Sequence, residues 1–298
     1  MKLTILGGGG AWPTARQACS GYLVEHDGFR VLIDPGYAVL PRLLALHAVS
    51  EVDAVVVSHG HLDHCADLNP LLRARVMNHD ALPPLPVYAP RNALAAILDA
   101  ERIRSIRRGA EITTIEDGDT LALGPLSVAV AMLPHHVPTA GLRLSAGGAT
   151  IAYAGDSGDC FERVALAADA DVLLAEATYS GEVPVDERPF LSSAPQVAQV
   201  ALAAGARSTI LTHVWPDDPA EWYLAAARRA GLSSARVAFA GMTVDLAPAA
   251  GVRPVVGRAA AVAVGMGGPP AAAPGSARRA ADEVAHPQAI SVLPRRAR

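Results

Sequence analysis

At 298 residues, 51% of them hydrophobic with alanine prominent, the chain can bury one large core or two small ones. No apolar run reaches the roughly 18–20 residues of a membrane span, and Met1–Leu6 breaks into Gly7–Gly10 too soon for a signal peptide, so a cytoplasmic protein is expected. The net charge of −4 is uneven: from Pro248 onward seven arginines face only Asp282 and Glu283, leaving −9 on residues 1–247, a poor match for a long polyanion.

In chain order, Leu3–Leu6, Tyr22–Glu25 and Val31–Asp34 read as strands and Val39–His47 as a short helix. Asp53–Val57 is a continuous apolar run of the kind buried on both faces of a sheet. A helical stretch follows His64, then a strand at Pro86–Ala89 and a helix at Asn92–Arg102 with Asn92 as its cap. Glu111–Ile115, Thr120–Leu123, Leu126–Leu133, Leu142–Ser145 and Thr150–Ala154 form a run of strands between Gly, Asp and Pro turns. Alternation then resumes, with strands at Val172–Ala175, Thr209–Thr212 and Val237–Ala240. Helices at Pro195–Ala204 and Pro219–Ala230 each carry a proline near the start. Buried strands interleaved with helices predict an α/β protein with two mixed sheets between helical layers, a single domain over 1–247. Residues 248–298, rich in Ala, Pro, Gly and Arg, predict a disordered tail.

The three cysteines, Cys19, Cys65 and Cys160, have no CxxC spacing, which argues against a disulfide framework or a thiolate site. Three of the ten histidines instead fall in Ser58-His59-Gly60-His61-Leu62-Asp63-His64, directly after the buried strand. Imidazoles at i and i+2 of an extended segment face the same side, and imidazole with carboxylate is the donor set zinc takes in a site open to water. Further donors stand just past other strands, at His135-His136, Asp156 and His213.

These residues resemble the HxHxDH motif and later ligands of the metallo-β-lactamase superfamily, over nearly all of residues 1–247. Within it the chain is similar to the ribonuclease Z-like branch and bacterial cyclic-nucleotide phosphodiesterases. Leu6-Gly7-Gly8-Gly9-Gly10-Ala11-Trp12-Pro13, Ser20–Val24 and Leu32-Ile33-Asp34-Pro35-Gly36 share in the likeness. The resemblance implies a four-layer αββα sandwich and two divalent cations, zinc or alternatively manganese or iron. His59, His61 and His135 would hold one, Asp63, His64 and His213 the other, and Asp156 would bridge them. His135 is preferred over His136 because Gly141-Leu142-Arg143 matches the branch spacing from it.

It further implies a phosphodiesterase of cyclic nucleotides or short nucleic-acid phosphodiesters, with water activated between the ions. Asp63 would orient that water, and Glu176 would act in catalysis or fix the tautomer of a ligand histidine. Gly8, His136, Arg143 and Tyr179 are candidate substrate contacts. Expected partners are a small nucleotide substrate and, by analogy with relatives, a second copy of the chain; neither a membrane nor long nucleic acid is expected. The ribonuclease Z motif His-Glu-Ala-Thr is Ala175-Glu176-Ala177-Thr178 here, and no basic glycine-rich arm is present, which argues against cleavage of transfer RNA precursors. The same fold admits a lactonase or thioesterase, and a non-catalytic metal-binding protein is a third reading.

Overall fold

The computed structural model describes residues 1–77 and 82–246; the tail expected at 248–298 lies outside them. Among the described residues, fourteen strands and eight α-helices follow one another in two halves. The first half holds β1 (Lys2–Gly7), β2 (Gly21–His26), β3 (Phe29–Ile33), α1 (Val39–Leu44), β4 (Ala54–Val56), α2 (Leu62–Cys65), α3 (Leu68–Met77), β5 (Leu85–Pro90), α4 (Ala95–Ala100), α5 (Arg104–Arg107) and β6 (Ala110–Ile115). The second holds β7 (Thr120–Leu123), β8 (Leu126–Leu133), β9 (Thr139–Ala146), β10 (Ala149–Tyr153), α6 (Phe161–Ala167), β11 (Val172–Glu176), α7 (Ala194–Ala204), β12 (Thr209–Thr212), α8 (Ala220–Arg229) and β13 (Ala235–Val237). The last strand, β14 (Thr243–Asp245), returns to pair with β1.

The strand orders are β14-β1-β2-β3-β4-β5-β6 and β13-β12-β11-β10-β9-β8-β7. Pairing is parallel from β3 to β6 and from β10 to β13, where helices make the crossovers, and antiparallel elsewhere.

Side-chain alternation explains the layers. In β1 to β4, Leu3, Ile5, Tyr22, Val24, Val31, Ile33, Ala54 and Val56 face the space between the sheets. Their neighbours Leu6, Leu23, Leu32, Val55 and Val57 face α1, α3, α4 and α5. In the second sheet Ile151, Tyr153, Val172 and Leu174 point inward, while Ala152, Ala154, Leu173 and Ala175 lie under α6, α7 and α8. A period of two on strands buried on both faces requires a helix layer outside each sheet. The fold is the αββα sandwich.

Some details differ from the sequence reading. The helix expected at Asn92–Arg102 starts at Ala95 and stops at Ala100, and Asn92 has φ 62° in the turn before it instead of capping it. That is a left-handed conformation asparagine tolerates. The helix from Val39 ends at Leu44, and the strand expected at Val237–Ala240 lies at Ala235–Val237. Helices α5 and α6 and strand β14 were not foreseen. Among the described residues no helix is long and apolar enough to cross a membrane.

Candidate metal centre

Strands β4, β8, β10 and β12 all deliver their C-terminal ends to one rim of the sandwich. After β4 the chain bends at Ser58 and Gly60, is extended at His61, whose φ and ψ are −68° and 142°, and then turns into α2. That turn is pressed against the β3–α1 loop so closely that a Cβ on Gly36 would lie 1.9 Å from the Asp63 carbonyl oxygen. The carbonyl of Ser58 accepts the Ala140 N–H at 2.9 Å, tying the histidine loop of the first sheet to the start of β9 in the second. His213 follows β12 at a positive φ of 54°. Its ring passes where a side chain on Gly10 would be, with Nδ1 only 2.7 Å from that Cβ position.

Seven side chains converge. His59 Nε2 is 3.1 Å from His61 Nδ1, which is 3.2 Å from His135 Nε2. Asp63 Oδ2 is 3.1 Å from His213 Nε2 and 3.7 Å from His64 Nε2. Asp156 Oδ2 stands between these clusters, 3.1 Å from His213 Nε2, 3.3 Å from His64 Nε2 and 3.9 Å from His59 Nε2. Three overlapping groups could each hold an ion: His59, His61 and His135; His59, His64 and Asp156; Asp63, His64 and His213.

The outer nitrogens are engaged by the protein. His59 Nδ1 meets Ser58 Oγ at 3.0 Å, His135 Nδ1 the Phe190 carbonyl at 2.8 Å, His64 Nδ1 the Asp34 carboxylate at 2.8 Å and His213 Nδ1 Thr178 Oγ1 at 2.9 Å. Such partners fix ring orientation and tautomer. Asp34 is fully buried and also accepts from Ser58 N–H, Ser58 Oγ and Tyr153 Oη, each at 2.6 Å.

The clusters differ in charge. Burial pushes His59 well below the ordinary imidazole range, with His64 adding to it, and burial lowers His61 and brings His135 to about 4. Burial acts the same way on His64 and His213, but the Asp156 and Asp63 carboxylates outweigh it and hold both rings above the usual value. Asp63 and Asp156 stay below the usual carboxylate range despite burial, because His64 and His213 stand beside them.

This donor set fits divalent cations. With the Nδ1 atoms of His59 and His135 engaged by Ser58 Oγ and the Phe190 carbonyl, both Nε2 atoms are acceptors, and a single His61 Nδ1–H can satisfy only one of them. The 3.1–3.2 Å spacing of these nitrogens is close to the roughly 3.3 Å between nitrogens sharing one tetrahedral zinc. His64 Nε2 is buried and has no hydrogen-bond partner of good geometry, although Asp156 Oδ2 is 3.3 Å away. A buried nitrogen without a partner is expensive, and a cation between it and Asp156 would engage it.

The other expected contacts are arranged differently. The Arg143 guanidinium donates to the Leu166 carbonyl at 2.7 Å, on the helix-covered face of the second sheet and not in the centre. Glu176 is fully buried, and its carboxylate accepts from the N–H groups of Thr178 and Ser192, each at 3.0 Å. Through Thr178, whose hydroxyl meets His213, it supports the centre from behind. Gly8 is buried, with its carbonyl taken by Val214 N–H and Ala238 2.5 Å from its Cβ position, so its smallness serves packing. Tyr179 is nearly buried, its ring edge-on to Trp215 at 6.3 Å. His136 stands beside His61 and is partly exposed, with Nε2 3.0 Å from Glu187 and its ring 4.3 Å from that of Phe190.

The sequence reading gave no role to Asp34, Ser58, Thr178, Phe190, Trp12 or Trp215. For Asp34 a signal existed, an acid closing an apolar strand in Leu32-Ile33-Asp34.

Residues 29–214 match the family model for the β-lactamase superfamily domain. The chain belongs to the metallo-β-lactamase superfamily. Its relatives in that superfamily include a probable metallo-hydrolase, YhfI of Bacillus subtilis, 29% identical over 72% of this chain and 87% of the relative. A ribonuclease Z of Mycolicibacterium gilvum is 30% identical over 77% of this chain and 91% of its own length. The crystal structure of YhfI superposes with a TM-score of 0.74 at 24% identity, covering 82% of this chain and 99% of that one. This member of the superfamily thus shares its fold with YhfI across nearly the whole of that protein, and its histidine and aspartate clusters lie within the matched span.

Proposed function

We propose that the protein is a phosphodiesterase using two divalent cations, zinc foremost, on cyclic nucleotides or short nucleic-acid phosphodiesters. The observation that carries this reading is the position of Asp156, whose one oxygen faces ligand nitrogens of both clusters. A ribonuclease Z among the relatives supports the phosphodiester class. His59, His61 and His135 would hold one ion and Asp63, His64 and His213 the other, with Asp156 contributing to both.

A bound cation pair supplies Lewis acidity toward a phosphoryl oxygen and lowers the pKa of water. The protein's part is orientation. Ala11 N–H donates to Asp63 Oδ2 at 2.8 Å, and the same oxygen faces His213 Nε2, which leaves Oδ1 to orient the attacking water. Asp34, Thr178 and the Phe190 carbonyl keep three of the ligand rings from rotating. His136, supported by Glu187, borders the substrate's path at the rim.

The test is metal-reconstituted protein, with ions per chain counted, assayed in parallel on bis-p-nitrophenyl phosphate, cyclic AMP and a homoserine lactone. Two ions and phosphodiester cleavage are expected. Lactone turnover with no phosphodiester cleavage would overturn the substrate class.

A further inference from the structure

Two of the three tryptophans meet at the mouth of the metal centre. Trp12 and Trp215 have ring centroids 5.3 Å apart at an interplanar angle of 32°. Trp12 is 45% exposed, and Tyr179 braces Trp215 edge-on from another side. The pair is joined to the ligands through the backbone. Ala11, directly before Trp12, donates its N–H to Asp63 at 2.8 Å, and Trp215 is two residues beyond His213.

The platform is also built to be rigid. Gly10 N–H bonds the Val214 carbonyl at 3.0 Å and Val214 N–H bonds the Gly8 carbonyl at 3.3 Å, so the two loops that carry the rings are laced together. Trp215 N–H is held by Tyr223 Oη at 3.2 Å, and that hydroxyl in turn engages Asp218 and the Thr178 carbonyl. A large aromatic surface fixed in water beside a charged centre suits a ligand with one anionic end and one flat, uncharged end. Residues 1–247 are strongly acidic and offer little to grip a second phosphate. Stacking is sequence-tolerant because every base has a π-face.

We propose that Trp12 and Trp215 form a stacking platform for the heteroaromatic base of a nucleotide whose phosphate lies over the metal centre. This rests on the phosphodiesterase reading and narrows it to substrates carrying a nucleobase close to the cleaved phosphate.

The experiment uses the full-length metal-loaded protein in a Trp222→Phe background, so that emission comes from Trp12 and Trp215 alone. AMP and ribose 5-phosphate are titrated by fluorescence and calorimetry. AMP is expected to bind on the order of tenfold tighter than ribose 5-phosphate and to quench emission. Trp12→Ala, at an exposed position, should abolish that preference without loss of folding, and Trp215→Ala should do the same, while Trp12→Phe keeps part of it. Equal binding of the two phosphates, or an AMP preference that survives Trp12→Ala, overturns the platform, as does failure to bind either. Cleavage of bis-p-nitrophenyl phosphate is measured alongside. If it persists while the preference is absent, the platform alone has failed; if no phosphodiester is cleaved, the underlying reading has failed with it.

Discussion

The two clusters of the metal centre are built from opposite electrostatic materials. His59, His61 and His135 form an all-imidazole group that burial keeps neutral, a set of lone pairs waiting for a cation. Asp63, His64 and His213, with Asp156 adjoining, form a group in which two carboxylates hold two rings toward their protonated form. A cation entering the first displaces few protons, whereas one entering the second must release them. The two clusters would therefore differ in the pH sensitivity of cation binding, because carboxylates outweigh burial in one and burial outweighs them in the other.

The largest expected effect breaks the comparison at its shared member. Asp156→Ala should lose both ions and drop phosphodiesterase activity to background, whereas His61→Ala should empty only the all-imidazole group. Metal content per chain, measured by atomic emission, checks this; an Asp156→Ala protein that retains two ions and full rate ends the bridging assignment. Next in size, Asp34→Asn and Thr178→Val should each weaken the carboxylate-bearing group on the order of 10–100-fold in metal affinity and leave one tightly held ion. Competition with a chromogenic chelator reads both affinities.

Third comes pH, in protein stripped of divalent ions by a chelator. His64 and His213 have raised pKa values in the folded state, so their stabilisation is complete below the unfolded value of about 6.5 and lost as pH rises through the folded one. His59, His61 and His135 are lowered, so theirs is present above about 6.5 and lost as pH falls, through about 4 for His135. His135→Gln should flatten the acid limb of urea midpoints against pH, and His213→Gln the alkaline limb. If both flattened the same limb, the charge contrast would be wrong. The smallest effect is expected from Arg143→Ala, which removes one hydrogen bond to Leu166 and should cost about 1 kcal/mol of stability with kcat/KM within about twofold.

Much of this was legible locally. Runs such as Val31–Asp34 and Asp53–Val57 are apolar on both parities, which only a sheet covered on both sides permits, and the cluster at His59–His64 announced its chemistry by density alone. What escaped depended on distant contacts. Asp34 gains its role from Ser58, His64 and Tyr153, up to 119 positions away. Helix α6 hid because its pattern is inverted, with Phe161 77% exposed and Arg163 buried. Arg143 is a different kind of miss. Leu142 and Leu144 point into the inter-sheet core, so strand alternation alone sends the residue between them to the helix-covered face.

The tie between Ser58 and Ala140 marks a seam between the halves of the chain, and the ligands lie on both sides of it. His59 to His64 come from the first sheet, while His135, Asp156 and His213 come from the second. A cation gripped there acts as a reversible cross-link closing loops of some seventy to a hundred and fifty residues. Closures of that length restrict an unfolded chain strongly. Metal supply would then staple or release the sandwich, and its resistance to unfolding should track free-ion concentration even in a variant that can no longer turn over substrate.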